Sequence, residues 1–244
     1  MNNPTPTVLL VHGAFAESAS WNGVLHRLYG RGIDAVAVAN PLRSLTGDAG
    51  YLRDVIAGVG GPVLLVGHSY GGLVITEAAA DNPAVVGLTY VSAFAPDTGE
   101  SATQLSTTFP GSTLGEALTA YPLRSGGNEF TIRLDVFAEQ FAADVPKSVS
   151  GVMARTQRPV TEYALSEGLP TKRPGWRSCP SWFVFGDQDR NIPAAVLRFE
   201  ADRAGARGVR EVAGASHAIA VSRPDEVTAT IVEALDGCTA ARAA

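Results

Sequence analysis

Residues 62–72 read Pro-Val-Leu-Leu-Val-Gly-His-Ser-Tyr-Gly-Gly, an apolar run ending on a serine set between two glycines. Residues 63–66 have the β-branched and leucine content of a short buried strand, and residues 73–80 continue as good helix formers. A strand turning sharply into a helix forces the turn residue into strained backbone geometry, and Gly67 and Gly71 remove side chains that would collide there. The stretch therefore reads as a nucleophile elbow, with the Ser69 hydroxyl lifted above a sheet and the next helix offering N–H groups to a developing anion. In a chain with 26 glycines the bare pattern Gly-x-Ser-x-Gly is weak. The strand before it and the helix after it make it specific.

The same alternation extends outward. Apolar runs at 7–11, 35–39, 63–66, 85–91, 181–185 and 209–212 predict strands, and residues 21–29, 48–59, 73–81, 194–203 and 224–235 predict helices between them. Asn82-Pro83 ends one helix, and Pro224 opens another in the favoured first position. Such an order predicts a mostly parallel six-stranded sheet flanked by helices. From residue 95 to 179 the rhythm breaks into turn residues (Pro96-Asp97-Thr98-Gly99, Ser125-Gly126-Gly127-Asn128) and short amphipathic pieces such as 135–141. This interval is read as a cap inserted after the fourth strand, so that 1–94 and 180–244 form the core. The alanine-rich residues 239–244 are expected to fray.

Composition narrows the function. With 244 residues, 45% hydrophobic and 18% charged, the chain can bury a substantial core. A net charge of −5 without runs of like charge argues against a nucleic-acid partner or an anionic membrane surface. No apolar stretch reaches the roughly 18 residues of a membrane span, and residues 1–7 lack the basic and apolar regions of a secretory signal. Cys179 and Cys238 lie far apart without metal-type spacing and are read as reduced thiols of a cytoplasmic protein. No metal or cofactor is expected.

A serine hydroxyl needs a general base, and the chain has four histidines. His68 should point away from its neighbour Ser69, His26 sits on an amphipathic helix, and His12 braces the loop after the first strand. His217, in Gly-Ala-Ser-His-Ala after the last strand, is left as the base. The carboxylate that orients it is sought in Gly-Asp-Gln-Asp-Arg-Asn-Ile-Pro, residues 186–193. Asp189 is preferred because it lies far enough past the strand to reach the last loop, with Asp187 expected to bond within its own turn and Asp97 a distant third. The two N–H donors for an oxyanion are assigned to Tyr70, directly after the serine, and to Ala14 in preference to Phe15 in the loop after the first strand. Phe15, Phe94, Phe109, Phe137, Phe141, Met153 and Trp176 are candidates for an apolar pocket under the cap.

These four elements together resemble the α/β-hydrolase superfamily. More closely, Val11-His12-Gly13-Ala14-Phe15 with Trp21, the strand 64–69, and residues 213–218 resemble small bacterial hydrolases related to plant methylesterases and hydroxynitrile lyases. The likeness covers nearly the whole chain for fold and triad but is poor across the cap. It implies hydrolysis of a small, largely apolar carboxylic ester or lactone through an acyl-enzyme, without a cofactor. It also implies an acid three residues after the glycine, which favours Asp189. Related hydroxynitrile lyases carry a lysine near the acid loop, whereas Arg190, Asn191 and Ile192 follow Asp189 here, which disfavours lyase chemistry. The first strand starts at residue 7, so the two leading antiparallel strands of larger members are expected to be missing. Carbon–carbon bond hydrolysis, cyanohydrin lysis and a receptor-like role remain as alternatives. The expected partner is a small-molecule ester, with a homodimer left open.

Overall fold

The computed structural model describes residues 5–243. Its first third alternates strand and helix: β1 (Thr7–Val11), α1 (Asn22–Tyr29), β2 (Ala35–Val38), α2 (Leu45–Val59), β3 (Val63–His68), α3 (Gly71–Ala78) and β4 (Val85–Val91). An insert follows, built of α4 (Ala102–Ser106), α5 (Leu114–Ala117), β5 (Leu118–Pro122), β6 (Asn128–Ile132), α6 (Phe137–Phe141), α7 (Lys147–Thr156), β7 (Val160–Thr161) and α8 (Glu162–Ser166). The alternation then resumes with β8 (Ser181–Gly186), α9 (Ala194–Arg203), β9 (Gly208–Val212), α10 (Ile219–Ser222) and α11 (Pro224–Ala243).

Six strands form one sheet in the order β2-β1-β3-β4-β8-β9, and every neighbouring pair is parallel. Both faces are covered, and the two-residue period of a strand divides its side chains between them. Val8, Leu10, Leu64 and Val66 enter one apolar cluster with Trp21, Val24 and Leu28 of the α1 region and Val227, Ile231 and Ala234 of α11. Leu9, Val11, Val63 and Leu65 enter the other with Leu52 and Ile56 of α2, Leu73 and Val74 of α3, and Val196 and Leu197 of α9. Each fully buried Val or Leu contributes about 1.5–3 kcal/mol, which makes β3, buried on both faces, the anchor of the sheet. The elbow is built on its end.

The structure differs from the sequence reading in α2, in α11 and in the insert. α2 starts at Leu45 rather than 48, because the Ser44 hydroxyl accepts from the Gly47 amide at 3.0 Å and caps the helix there. α11 runs on through the alanine-rich stretch to Ala243 instead of stopping at 235 and fraying, in keeping with alanine's high helix propensity. The insert holds a second, antiparallel sheet in the order β5-β6-β7, where only turns and short helical pieces were expected. Among the described residues no helix is long and apolar enough to cross a membrane.

Candidate active site

Ser69 follows the last residue of β3 with φ +54°, in the left-handed region that costs a non-glycine residue on the order of 1–3 kcal/mol. Its surroundings hold it there. The Ser69 amide donates to the Val91 and Ser92 carbonyls at 3.3 and 3.2 Å, and its own carbonyl accepts from Gly72 at 2.9 Å. A Cβ on Gly67 would meet the Gly71 carbonyl oxygen at 2.6 Å, and one on Gly71 would meet the Val11 carbonyl oxygen at 2.5 Å. The two flanking glycines are thus required by backbone packed against backbone.

His217 lies in the loop after β9, and Asp189 in the loop after β8. His217 Nδ1 is 2.7 Å from Asp189 Oδ2, with both side chains buried. The other carboxylate oxygen of Asp189 accepts from the Asn191 and Ile192 amides at 2.8 and 2.9 Å, so the acid is oriented by its own turn. A carboxylate on Nδ1 selects the tautomer that leaves Nε2 as an acceptor. That Nε2 is buried and has no hydrogen-bond partner among the described residues. Asp187 is exposed and accepts from the Gly214 amide at 2.7 Å, bracing the neighbouring loop rather than its own turn. Asp97 pairs with Arg177 and takes no part.

Two further histidines hold this arrangement. The His12 Nε2 accepts from the Asn40 amide at 3.1 Å, so its proton sits on Nδ1, which donates to the Gly13 carbonyl at 3.0 Å. Burial pushes its pKa down to about 4. His68 Nε2 donates to the His217 carbonyl at 3.0 Å. Burial and the neighbouring His217 hold His68 well below the usual imidazole range. Its ring packs 4.7 Å from that of His217, and Phe141 meets the His217 ring edge-on at 4.9 Å. His26 is exposed.

The loop after β1 lies directly against the elbow. A Cβ on Gly13 would sit 2.6 Å from the His68 carbonyl oxygen, 2.6 Å from Ser69 Cβ and 3.2 Å from the Tyr70 nitrogen. Phe15, at φ +60°, donates its amide to the Arg158 carbonyl of the insert at 3.1 Å. The Ala14 and Tyr70 amides donate to no protein acceptor among the described residues. Two N–H groups beside the serine are therefore available to a ligand. The Tyr70 hydroxyl is anchored by donating to Asp48 Oδ2 of α2 at 2.9 Å.

A cavity of about 390 Å³ opens at this point, bordered by Ala14, Phe15, Ser69, Tyr70 and Phe94. The insert closes its other side through residues of α4, α5 and α8, and Asn191 and Ile192 complete it. Its size and mainly apolar wall suit a small organic molecule. Of the aromatic candidates, Phe15 and Phe94 border it. Met153 instead borders a second cavity of about 230 Å³, which shares the Phe15 wall with the first. Phe137 stacks on Phe141 within the insert, Phe109 packs on Phe199, and the Trp176 indole donates to the Pro96 carbonyl at 2.7 Å between Arg177 and Arg203. Among the described residues no group of three or more His, Cys, Asp or Glu is arranged to hold a metal ion.

The family model described as the alpha/beta hydrolase family matches residues 8–230. The chain belongs to that family. It is 29% identical over 249 residues to the alpha/beta hydrolase nvfD of Aspergillus novofumigatus, covering 93% of this chain and 95% of that one. Among solved structures, polyneuridine aldehyde esterase superposes with a TM-score of 0.79 at 20% identity, covering 94% of this α/β hydrolase and 99% of the esterase. A pyrethroid hydrolase from Sphingobium faniae gives 0.74 at 22% identity, with 95% and 97% covered. Tomato methylketone synthase I, complexed with 2-tridecanone, gives 0.79 at 18% identity, with 96% and 99% covered. At these identities the likeness is one of fold.

Proposed function

We propose that this α/β hydrolase is a serine carboxylic-ester hydrolase acting on a small, largely apolar ester or lactone, with residues 95–179 as its cap. The observation that carries the reading is a buried imidazole held by a carboxylate on Nδ1 and unpartnered on Nε2, packed against His68, the residue directly before a serine raised at φ +54°.

In this reading the Ser69 oxygen attacks the ester carbonyl while its proton passes to His217 Nε2. The negative charge on the carbonyl oxygen is met by the Ala14 and Tyr70 amides, whose hydrogen-bonding capacity the protein leaves unused. Asp189 keeps the imidazole in the accepting tautomer and stabilises the imidazolium. As the tetrahedral adduct collapses, the alcohol leaves with the proton from His217, and Ser69 is acylated. Water, deprotonated by the same imidazole, then releases the acid and restores the serine. No step calls for a cofactor. Neighbours named as an esterase and a pyrethroid hydrolase are in keeping with small ester substrates. A cytoplasmic setting belongs to the proposal as well and rests on the reading of the cysteines as reduced thiols.

The test compares wild type with Ser69→Ala on short- and medium-chain p-nitrophenyl esters, together with intact mass after a serine-directed organophosphate. Turnover and a single adduct in wild type, both lost in the variant, are expected. A normal adduct without turnover would redirect the site to carbon–carbon hydrolysis, lyase chemistry or ligand sensing. Neither signal in a folded sample would overturn the reading.

A further inference from the structure

The loop that carries His217 is held from two sides. The core holds its early part: the Gly214 amide donates to Asp187 Oδ1 at 2.7 Å, and the Ala215 carbonyl accepts from the Gln188 amide at 3.1 Å. The insert holds the imidazole and the residue on either side of it. The Ser216 hydroxyl donates to the Asp144 carboxylate, and the Ala218 amide donates to the Phe141 carbonyl at 2.9 Å. Between them the Phe141 ring meets the His217 ring edge-on. Phe141 is the last residue of α6, and Asp144 lies in the turn after it. One short piece of the insert thus touches residues 216, 217 and 218 in succession.

Asp144 is itself fixed from the core. Arg223, immediately before α11, sets Nη1 3.1 Å from Asp144 Oδ2, and the other carboxylate oxygen is the one that Ser216 meets. A hydroxyl has one proton to give. With it directed at Asp144, the Phe141 carbonyl, 3.5 Å from the Ser216 oxygen, is left to the Ala218 amide. Ser216 is 2% exposed and the Asp144 side chain 14%, so little water competes for this bond. A hydrogen bond to a charged acceptor in such a place is among the stronger ones a side chain makes.

Resting on the ester-hydrolase reading, we infer that Asp144 is a positioning residue for the base: through Ser216 it fixes the backbone that carries the His217 ring. The insert then completes the setting of the base as well as closing the cavity. Asp189 sets the tautomer through Nδ1, and Asp144 sets where the ring stands. A general base must lie within hydrogen-bond reach of the proton it takes, and a misplacement of about 1 Å costs on the order of 10²-fold in rate. The loss falls on kcat rather than on binding, because neither Asp144 nor Ser216 borders the cavity beside Ser69.

The test measures kcat and KM on p-nitrophenyl butyrate for wild type, Asp144→Ala, Asp144→Asn, Ser216→Ala and the double variant Asp144→Ala with Ser216→Ala. Beside it, the downfield proton NMR signal of His217 Nδ1 is recorded, assigned by its absence in His217→Gln. Asp144→Ala and Ser216→Ala are each expected to lower kcat about tenfold or more, with KM within about twofold, and to displace the signal. Combined they should lose no more than either alone, because both remove the same bond. Ser216→Ala, which deletes one oxygen, carries the test should Asp144→Ala not fold. Asp144→Asn gives up the ion pair with Arg223 but can hydrogen-bond the Ser216 hydroxyl in either orientation of its amide, and should recover most of kcat and the wild-type signal. A merely structural role for the ion pair predicts that Asn is as impaired as Ala. That outcome, an unchanged kcat, an effect confined to KM, or losses that multiply in the double variant overturns the inference, while turnover by wild type keeps the hydrolase reading. No turnover by wild type, with the signal displaced in Asp144→Ala and restored in Asp144→Asn, overturns the hydrolase reading and keeps Asp144 as the residue that sets the imidazole. Neither turnover nor a displaced signal overturns both.

Discussion

His217 Nδ1 and Asp189 Oδ2 lie 2.7 Å apart in a setting where both side chains are sealed from water, and Asp189 is aimed by two amides of its own turn. Asp189→Asn retains an acceptor for those amides but offers the imidazole a group of either polarity, so the tautomer is no longer dictated. Ester turnover is expected to fall about 10³–10⁴-fold with little change in substrate affinity. Steady-state kinetics beside a thermal melt check this. A loss of activity matched by loss of the folded state would instead make the pair a structural one.

Gly13 has no space for a methyl group, since its Cβ would lie within 2.6 Å of both the His68 carbonyl oxygen and Ser69 Cβ. Gly13→Ala must displace the loop that carries the Ala14 amide. If that amide receives the developing charge, kcat should drop about 10²–10³-fold, the cost of removing one such donor. Organophosphate labelling should slow in parallel, because the phosphoryl oxygen uses the same two amides. Unchanged labelling would assign the second donor elsewhere.

Glu200 is fully buried on α9, where burial raises its carboxyl to about 8. One oxygen accepts from the Ala95 amide at 3.0 Å, and the other has no partner among the described residues. Between the ordinary glutamate value of 4.5 and about 8, the unfolded chain has released this proton while the folded chain keeps it. Stability from this group is therefore full below about 4.5 and is lost as pH rises to 8. Glu200→Gln keeps the acceptor for Ala95 and has no proton to lose, so its melting temperature should gain on wild type steadily from pH 5 to pH 8.5. Parallel curves would mean that the buried carboxyl does not titrate in this range.

The histidines act in the opposite direction. His12, at about 4, and His68, lower than usual, remain neutral in the folded chain while the unfolded chain takes up protons below about 6.5. Their contribution is present above 6.5 and is lost as pH falls toward 4. Protonating His12 would place a hydrogen on Nε2 against the Asn40 amide. His12→Gln should be less stable than wild type at pH 7 but should lose less on acidification to pH 4.5, as followed by melting temperature.

The sheet and the strand-end loops that carry the candidate site residues were legible because each rests on local chemistry. A run such as Val63–His68 has one use, and Gly-x-Ser-x-Gly, Gly-Ala-Ser-His and Gly-Asp-Gln-Asp each mark the end of a strand, where the topology gathers loops without further information. The insert was not legible in the same way. β5 pairs with β6 across the Ser125-Gly126-Gly127 turn, which was read as punctuation, but Leu118–Pro122 lies mostly exposed and has too little alternation to show as a strand. The aromatic candidates were hard to place for a related reason. Phe137, Phe141 and Trp176 are as apolar as Phe94, and only tertiary packing distinguishes a cavity wall from a small core. Asp144 gave no signal at all, since a carboxylate paired across 72 residues has no local pattern.

The 3.1 Å bond from the Phe15 amide to the Arg158 carbonyl joins the insert to the very loop that lies on the elbow. Any movement that carries residue 158 away from the core must break that bond or drag the loop with it. While that bond holds, the wall of the cavity and the Ala14 amide proposed to receive the developing charge are tied into one piece, as with a door whose latch also arms the room behind it.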